Sequence, residues 1–393
     1  MVRKIKMLDL SQHFVVDSHC HPYLPEKETE SFEQYLTIAF HPIPKEDMEN
    51  TFIYRQTVRE LSRILNFKGT HRQIVEERQK HYKQDPMAYT KLLFEDAKIE
   101  TLLVDTGYPF EEYTGYSISL EDFSKIVPCS LKEVLRIDNV VFNLVKKNLP
   151  FKEAVDQFNQ QTHDAVKKGV IGLKTVIAYS TGLEIMRWPE EKVQKAYKAI
   201  VEKVESGVSI RDIFYGTSDH PKILLDYFIY LGLEDSVELK VPFQMHAAMG
   251  SIPLLDLRKA NPILLHDFIN DPSAKNAKII LTHGGYPYVE EAGFIVNTYP
   301  NVFLDFSETI PHISIGIKEK LLNLFEMAPT NKIMYGSDGY TTPEQFWISA
   351  VLTKKALEQA LNGLVESKEI DEEWAQEIAD QILSENAKRI FKL

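Results

Sequence analysis

A chain of 393 residues, 44% of them hydrophobic, can bury a large core, either as two ordinary domains or as one barrel with insertions. Acidic residues number 57 against 45 basic ones, and the net charge of -12, without any lysine- or arginine-rich run, argues against a nucleic-acid partner. Two cysteines do not make a disulfide framework, no window is apolar enough for a membrane helix, and the basic N-terminus lacks the apolar stretch of a signal peptide. We therefore expect a cytoplasmic protein without membrane contact.

The first predicted strand begins near Phe14 and carries two histidines at its C-terminal end. Apolar and β-branched residues lead into it, and because side chains alternate along a strand, His19 and His21 point the same way. Neutral imidazole is the commonest protein ligand for zinc and related metals. Alone, the pair is better explained as polar residues tolerated at a strand end, so the rest of the chain has to supply further ligands.

Residues 26–100, dense in charge and aromatic rings, are predicted to form a helical insertion after the first strand. Apolar residues such as Phe52, Val58 and Leu61 recur there at three- and four-residue spacing. Connections that follow barrel strands open on the active-site face, so we expect the insertion to act as a lid. Its deletion should then alter substrate preference and leave metal content intact.

Strands and helices alternate regularly after the insertion. Further strands are predicted within residues 98–108, 131–138, 169–177, 241–246, 277–285, 301–308 and 331–339, with helices between them. Eight strands in this alternation predict the α/β class and a (β/α)8 TIM barrel, as one domain over residues 1–393. The helices after Pro343 would complete the barrel and form a C-terminal helical extension.

Polar residues with metal-binding chemistry fall at the C-terminal ends of these strands, where barrel enzymes carry their active sites. Strand alternation predicts that His283 shares its inward face with Leu281, and that Asp338 shares its inward face with Met334. Any one such residue is explained as a satisfied polar group of the core. Six at one end indicate a metal site: His19, His21, Lys174, His246, His283 and Asp338.

The ordered set Asp17-x-His19-x-His21, Lys174, His246, His283 and Asp338 resembles the amidohydrolase superfamily of metal-dependent barrel enzymes. Two shorter phrases, Gly172-Leu173-Lys174-Thr175 and Leu281-Thr282-His283-Gly284-Gly285-Tyr286-Pro287, are similar to the amidohydrolase-2 branch. That branch includes domains fused to glutamine-synthetase-like domains in nodulin-like proteins. The resemblance spans about Val15 to Gly339, with the insertion outside it.

The resemblance implies a ligand set for two divalent metals. His19, His21 and Asp338 would hold the more buried metal, His246 and His283 the more exposed one, and Lys174 would bridge them as a carbamate. A carbamylated lysine is an anionic bridge, whereas an ammonium would repel the cations. The alternative is that Lys174 stays an amine and pairs with a substrate carboxylate over one metal. Zinc suits the ligands best, and manganese or iron also fit.

The resemblance also implies an activity, the hydrolysis of an amide C–N bond in a small carboxylate-bearing substrate. The metals would activate a water, and Asp338 would act as the general acid/base. Alternatives are a mononuclear decarboxylase or isomerase of the same superfamily, and a non-catalytic barrel. Barrels of this family often pair, so the resemblance suggests a homodimer. Asp17 is equally explained as a structural or ligand-supporting group and as a reactive one. Candidate substrate contacts are Arg136, Tyr179, Tyr286, Glu308 and His312.

Overall fold

The computed structural model describes residues 7–28, 31–39, 41–216, 218–251 and 255–393. Residues 1–6, at the basic N-terminus, lie outside the described residues. So do residues 29, 30 and 40 of the predicted insertion. In the part of the chain that is described, the helices are too short or too polar to cross a membrane.

Eight strands of the described chain form one sheet, in which they follow one another in sequence order. Neighbouring strands run parallel, and helices connect them, which confirms the predicted (β/α)8 barrel. The strands are β1 (Val15–Cys20), β2 (Ile99–Asp105), β3 (Ser130–Arg136), β4 (Gly172–Thr175), β5 (Phe243–His246), β6 (Ile279–Thr282), β7 (Val302–Asp305) and β8 (Ile333–Met334).

Helices lie between the strands, as the predicted alternation requires, although Ile137 and Asp138, predicted as the end of a strand, begin a helix. Within the described residues, four α-helices lie in the predicted insertion between β1 and β2: α1 (Lys45–Glu49), α2 (Phe52–Ile64), α3 (His71–Gln84) and α4 (Pro86–Ala97). Those that follow, up to β8, are α5 (Glu111–Thr114), α6 (Leu120–Ser124), α7 (Ile137–Val145), α8 (Phe151–Lys167), α9 (Ile177–Ser180), α10 (Glu190–Glu205), α11 (Ile210–Phe214), α12 (His220–Leu239), α13 (His266–Asn270), α14 (Val289–Thr298), α15 (Thr309–His312) and α16 (Ile317–Met327). The C-terminal helices are α17 (Pro343–Glu366), α18 (Glu372–Asp380) and α19 (Asn386–Phe391).

Two compact units make up the chain, and the prediction of one domain over residues 1–393 stays a prediction. The first unit comprises residues 1–104, 118–131 and 305–393, and the second comprises residues 105–117 and 132–304.

The first unit contains β1, β8, the insertion and the C-terminal helices. Local signals start the insertion helices: Thr51 accepts a hydrogen bond from the Tyr54 amide, and Thr70 forms a capping box with Gln73. α4 begins with a proline after the capping residue Asp85 and packs against α17. The insertion is therefore built into this unit through the helix that follows Asp338 in the chain.

The second unit contains most of β3 to β7 and the helices between them. Its strands β4, β5 and β6 are fully buried, as parallel strands covered on both faces usually are. Their register places Lys174 beside Gln244, and His246 beside Thr282. This register carries the polar ends of three neighbouring strands to one edge.

Candidate metal centre

Two histidines and one aspartate converge in the first unit. The Nε2 atoms of His19 and His21 lie 3.3 and 3.4 Å from the same carboxylate oxygen, Oδ1 of Asp338. One ligand atom from each residue lies within 4.8 Å of the others. His19 is 1% exposed and His21 8%, so the donor atoms are largely shielded from water. Two imidazole nitrogens and a carboxylate oxygen match the donors that zinc and similar divalent cations take in proteins.

Backbone hydrogen bonds hold these three residues in place. The Asp338 amide donates to the His19 carbonyl at 2.9 Å, and the His21 amide donates to the Gly339 carbonyl at 2.8 Å. The segment that carries the carboxylate therefore runs alongside the strand that carries the imidazoles. Residues more than three hundred positions apart in sequence are brought together by main-chain bonds, which do not depend on side-chain identity.

Asp17 is hydrogen-bonded to both segments that carry the cluster. Its Oδ1 accepts hydrogen bonds from the amides of Ser337, at 2.9 Å, and His19, at 3.2 Å. Burial raises the pKa of Asp17 to about 7, although these hydrogen bonds oppose the shift, and the nearby Asp305 adds to it. Of the two roles considered for Asp17, these contacts agree with the supporting one.

Strand alternation does not orient His283 or Asp338, contrary to the sequence prediction. β6 ends at Thr282 and β8 at Met334, so both residues lie beyond their strands. Their φ angles of +75° for His283 and +55° for Asp338 are left-handed. The predicted inward parity with Leu281 and Met334 therefore has no basis, because a turn rather than a pleat sets the direction of each side chain.

Two further histidines form a pair in the second unit. His246 is the last residue of β5 and His283 follows β6, and their ring centroids are 4.2 Å apart. The Tyr179 ring lies 4.6 Å from that of His246, and its hydroxyl accepts a hydrogen bond from the Ser251 amide at 3.1 Å. A Cβ at Gly250 would come within 2.5 Å of the Tyr179 hydroxyl and 3.1 Å of His246 Nε2, so a glycine is needed to leave this space open.

Lys174 belongs to the same unit and is fully buried. Its Nζ donates to Thr282 Oγ1 at 2.7 Å, and that hydroxyl donates to the Met245 carbonyl at 3.1 Å. Thr282 directly precedes His283, and Met245 directly precedes His246. The lysine is thus bonded to the strand ends that carry the histidine pair, and its carbamylation stays a prediction.

Arg136, predicted to hold a substrate carboxylate, contacts a buried carboxylate of the protein itself. Its Nε and Nη2 both donate to Asp105 Oδ2, at 3.0 and 2.7 Å. A second acid, Asp138, lies close enough to raise the pKa of the guanidinium together with Asp105, against the effect of burial. Asp105 was missed in the sequence, although it ends a strand as His246 does.

The remaining candidate substrate contacts lie on loops of the two units. Tyr286, in the second unit, is half-buried just beyond the turn that contains His283. Glu308, in the first unit, is buried, with a left-handed φ of +56°. His312 ends α15 in the first unit, and burial lowers its pKa to about 4, although the Asp338 charge opposes the shift.

A barrel that carries histidines, a lysine and an aspartate at or beyond the C-terminal ends of its strands has the architecture of metal-dependent barrel enzymes. A family model described as amidohydrolase, of the amidohydrolase-2 branch, matches residues 183–393, more than half of the chain. The chain belongs to the amidohydrolase family, as its motifs indicate, and members of this superfamily are generally metal-dependent enzymes.

Individual proteins are also similar to this chain. Protein fluG of Emericella nidulans is 29% identical over 244 residues, which is 60% of this chain but only 27% of fluG, so the chain spans about a quarter of that relative. A structure from Lactobacillus casei, provisionally assigned as a metal-dependent hydrolase, is 22% identical with a TM-score of 0.82 and 98% of both chains covered. Uronate isomerase from Thermotoga maritima is 14% identical, with a TM-score of 0.67 over 97% of this chain and 95% of that one. The two structures show the shared fold.

Proposed function

We propose that this chain is a metal-dependent hydrolase that cleaves an amide bond of a small, carboxylate-bearing substrate. The observation that carries the proposal is the cluster of the buried His19 and His21 with the partly exposed Asp338, whose ligand atoms lie within 4.8 Å of one another. Membership of the amidohydrolase family supports the same reaction class. The cluster combines two neutral imidazole donors with one anionic carboxylate donor, and this set of ligands suits a divalent cation.

The metal is proposed to be zinc, with manganese or iron as the other candidates. A divalent cation would act as a Lewis acid and lower the pKa of a water to around 7. His246 and His283 would hold a second metal, provided that Lys174 carries a carbamate. As an ammonium, Lys174 would oppose that metal by charge repulsion; as a carbamate, it would supply negative charge.

Asp338 is proposed as the general acid/base. Its Oδ1 faces the two imidazoles, and the carboxylate has a second oxygen that can accept a proton and return it to the leaving nitrogen. Hydrogen bonds to the main chain on both sides of Asp338 fix its position relative to the imidazoles before substrate arrives. Such preorganisation lowers the cost of reaching the reactive geometry.

The preference for a carboxylate-bearing substrate, such as a γ-glutamyl amide or an N-acyl amino acid, rests on Arg136. Its guanidinium is bonded to Asp105, so a substrate carboxylate would share the positive charge. Binding there gains less free energy than at an arginine without a buried acid beside it. Specificity is therefore expected to depend also on Tyr179, Tyr286, Glu308 and His312, the other proposed substrate contacts.

A second candidate is a mononuclear isomerase or decarboxylase of the same superfamily. In this candidate Lys174 stays an amine, and its Nζ keeps the hydrogen bond to Thr282 at 2.7 Å. Uronate isomerase shares the fold, and a hexuronate is a carboxylate-bearing substrate that this candidate would take.

Metal content per chain, measured by elemental analysis, tests both candidates. Wild type and Lys174→Ala would be purified without chelators and reconstituted with metal, with and without bicarbonate. We expect about two metals in wild type with bicarbonate and one or fewer in the variant.

The outcome decides which substrates to assay. Two metals, one of them lost in Lys174→Ala, would justify a screen of carboxylate-bearing amides. One metal that is insensitive to the variant and to bicarbonate would favour the isomerase or decarboxylase, tested first with hexuronates. No metal under any condition would contradict both.

A further inference from the structure

Gln345 binds the loop that follows Asp338. This buried side chain lies in the first turn of α17, seven residues after the aspartate. Its Oε1 accepts hydrogen bonds from three successive loop amides, those of Tyr340 at 3.1 Å, Thr341 at 2.9 Å and Thr342 at 3.4 Å. One side-chain oxygen therefore organises the main chain between Asp338 and the helix.

The other end of the same amide group contacts the insertion. Gln345 Nε2 donates to the Tyr35 carbonyl at 2.9 Å, in a short 3-10 turn of the insertion. The backbone of Leu36, the next residue of that turn, forms a hydrogen bond with His312. The turn thus reaches two neighbours of the candidate metal centre, the Asp338 loop and His312.

Glu344, the residue before Gln345 in α17, takes part in a buried ionic network that joins the insertion to the same turn of this helix. Arg78 of α3 is fully buried and donates from Nε and Nη2 to the two carboxylate oxygens of Glu344, at 2.5 and 2.9 Å. It also donates to Glu28 at 2.7 Å, and the Tyr89 hydroxyl donates to Glu344 at 2.6 Å. A bidentate buried pair with these further bonds restrains both partners far more than a surface pair would.

We propose that Gln345 is a positioning residue that couples the insertion to the Asp338 loop, and that the insertion holds the metal-binding carboxylate in place. The Arg78–Glu344 network anchors the insertion to α17, and Gln345 transmits this restraint to the loop. This role differs from that of a lid, because removal of a lid leaves metal content intact, whereas loss of this coupling weakens metal binding. The expected change in zinc affinity rests on the proposed function, whereas the restraint that Gln345 places on the loop does not.

Two variants of Gln345 separate its two contacts. Gln345→Met removes the acceptor for the loop amides and the donor to Tyr35. Gln345→Glu, studied at pH 8 where an ionised carboxylate accepts but does not donate, keeps the first contact and loses the second. The measurements are zinc affinity, by competition with a chromophoric chelator, and hydrogen exchange of the amides of residues 339–342 in the metal-free protein.

We expect Gln345→Met to weaken zinc binding by about tenfold or more and to speed exchange of the loop amides, as loss of a group that supports metal ligands does. Gln345→Glu should fall between this variant and wild type in both measurements. A matched control is Lys354→Met, which removes another buried bond between α17 and the insertion, from Lys354 Nζ to the Ala97 carbonyl at 2.8 Å. That control should keep wild-type zinc affinity and exchange.

Three results would overturn the proposal. They are wild-type zinc affinity and exchange in Gln345→Met, wild-type values in Gln345→Glu, and an equal loss in Lys354→Met. If wild type binds no zinc, the proposed function fails, and exchange in the metal-free proteins still decides whether Gln345 restrains the loop. Circular dichroism of each variant checks that it is folded.

Discussion

The His19, His21 and Asp338 cluster and the His246 and His283 pair use similar donors but are assembled differently. The cluster joins segments from opposite ends of the chain through main-chain bonds, and Asp17 and Gln345 add side-chain bonds to the same segments. The pair lies at the ends of two neighbouring strands, and Lys174 on a third strand bonds to Thr282 beside it. The first arrangement therefore depends on distant residues, and the second on local strand register.

The side chains on the strands beside the two groups also differ. The cluster carries a carboxylate between its imidazoles, so it suits a cation as it stands. The pair has an amine on the adjoining strand, and that amine needs carbon dioxide to become anionic. We therefore expect the cluster to bind metal without bicarbonate and the pair to need it, which makes bicarbonate dependence a measure of the difference.

The largest expected effect comes from Asp338→Asn. The amide keeps the shape of the side chain but removes the negative charge next to the two imidazoles and the proposed proton acceptor. We expect metal at the cluster to be lost and turnover to fall by about 10³-fold or more, as for removal of a central catalytic group. Elemental analysis and assays of the identified substrate measure both.

Asp371→Asn is the control for Asp338→Asn, because Asp371 caps α18 by accepting from the Trp374 amide and faces solvent. It should change neither metal content nor turnover. Full metal content in Asp338→Asn would contradict the assignment of the cluster as the metal centre.

A smaller effect is expected for Arg78→Met, which tests the dependence of the first unit on its buried network. Burial by itself would raise the pKa of Glu344, and the charge and hydrogen bonds of Arg78 bring it below its ordinary value. Without Arg78, two buried acids lose their partner, so we expect the free energy of unfolding to fall by about 3–5 kcal/mol. Urea unfolding at pH 7 measures the change.

Arg258→Met serves as the comparison for Arg78→Met, since the Arg258 side chain is 88% exposed and its ion pair with Asp256 lies at the surface. It should alter the free energy of unfolding by less than about 0.5 kcal/mol. A loss below about 1 kcal/mol in Arg78→Met would show that the network restrains the insertion only weakly.

The smallest effect is expected in the second unit, for Asp138→Asn. Burial raises the pKa of Asp138 to about 6, although the Arg136 charge and hydrogen bonds from Val176 and Thr175 oppose the shift. Between its ordinary pKa of 3.8 and about 6, the folded protein holds more protons than the unfolded chain, so this group makes stability fall as pH rises. Above that range the full cost of the buried charge is present.

Asn at position 138 keeps an acceptor for the Val176 amide and does not titrate. We expect the free energy of unfolding to rise by on the order of 1 kcal/mol at pH 7 and its dependence on pH between 4 and 6 to become flatter. Urea unfolding across this pH range measures both. Asp212→Asn, at the solvent-exposed start of α11, is the control, and an unchanged slope in Asp138→Asn would contradict the shift.

The barrel could be predicted from sequence because each strand and helix has a local pattern of apolar and polar residues. Runs such as Ile279–Thr282 are apolar throughout, and helices with regular spacing separate them. Residues at the strand ends could be predicted for the same reason, since a barrel carries all those ends on one face. The family motif then named the same residues.

The contacts that hold the candidate site could not be predicted in this way. Arg78 and Glu344 are 266 positions apart, and no local pattern pairs a helix of the insertion with the last barrel helix. The directions of His283 and Asp338 were predicted from strand alternation, which stops before both residues. The pairing of Asp105 with Arg136 could not be predicted either, because the two residues are 31 positions apart and no local pattern joins them.

The left-handed backbone at His283, Glu308 and Asp338 lowers the stability of the fold at positions whose side chains are proposed to be functional. Each has a positive φ, a conformation that costs a side-chain-bearing residue of order 1 kcal/mol or more and a glycine almost nothing. A selection that rewarded only expression or heat resistance would therefore favour glycine at these positions. Laboratory evolution of this protein for stability needs a simultaneous screen for metal retention, or its first gains will come at the cost of the proposed metal ligands and substrate contact.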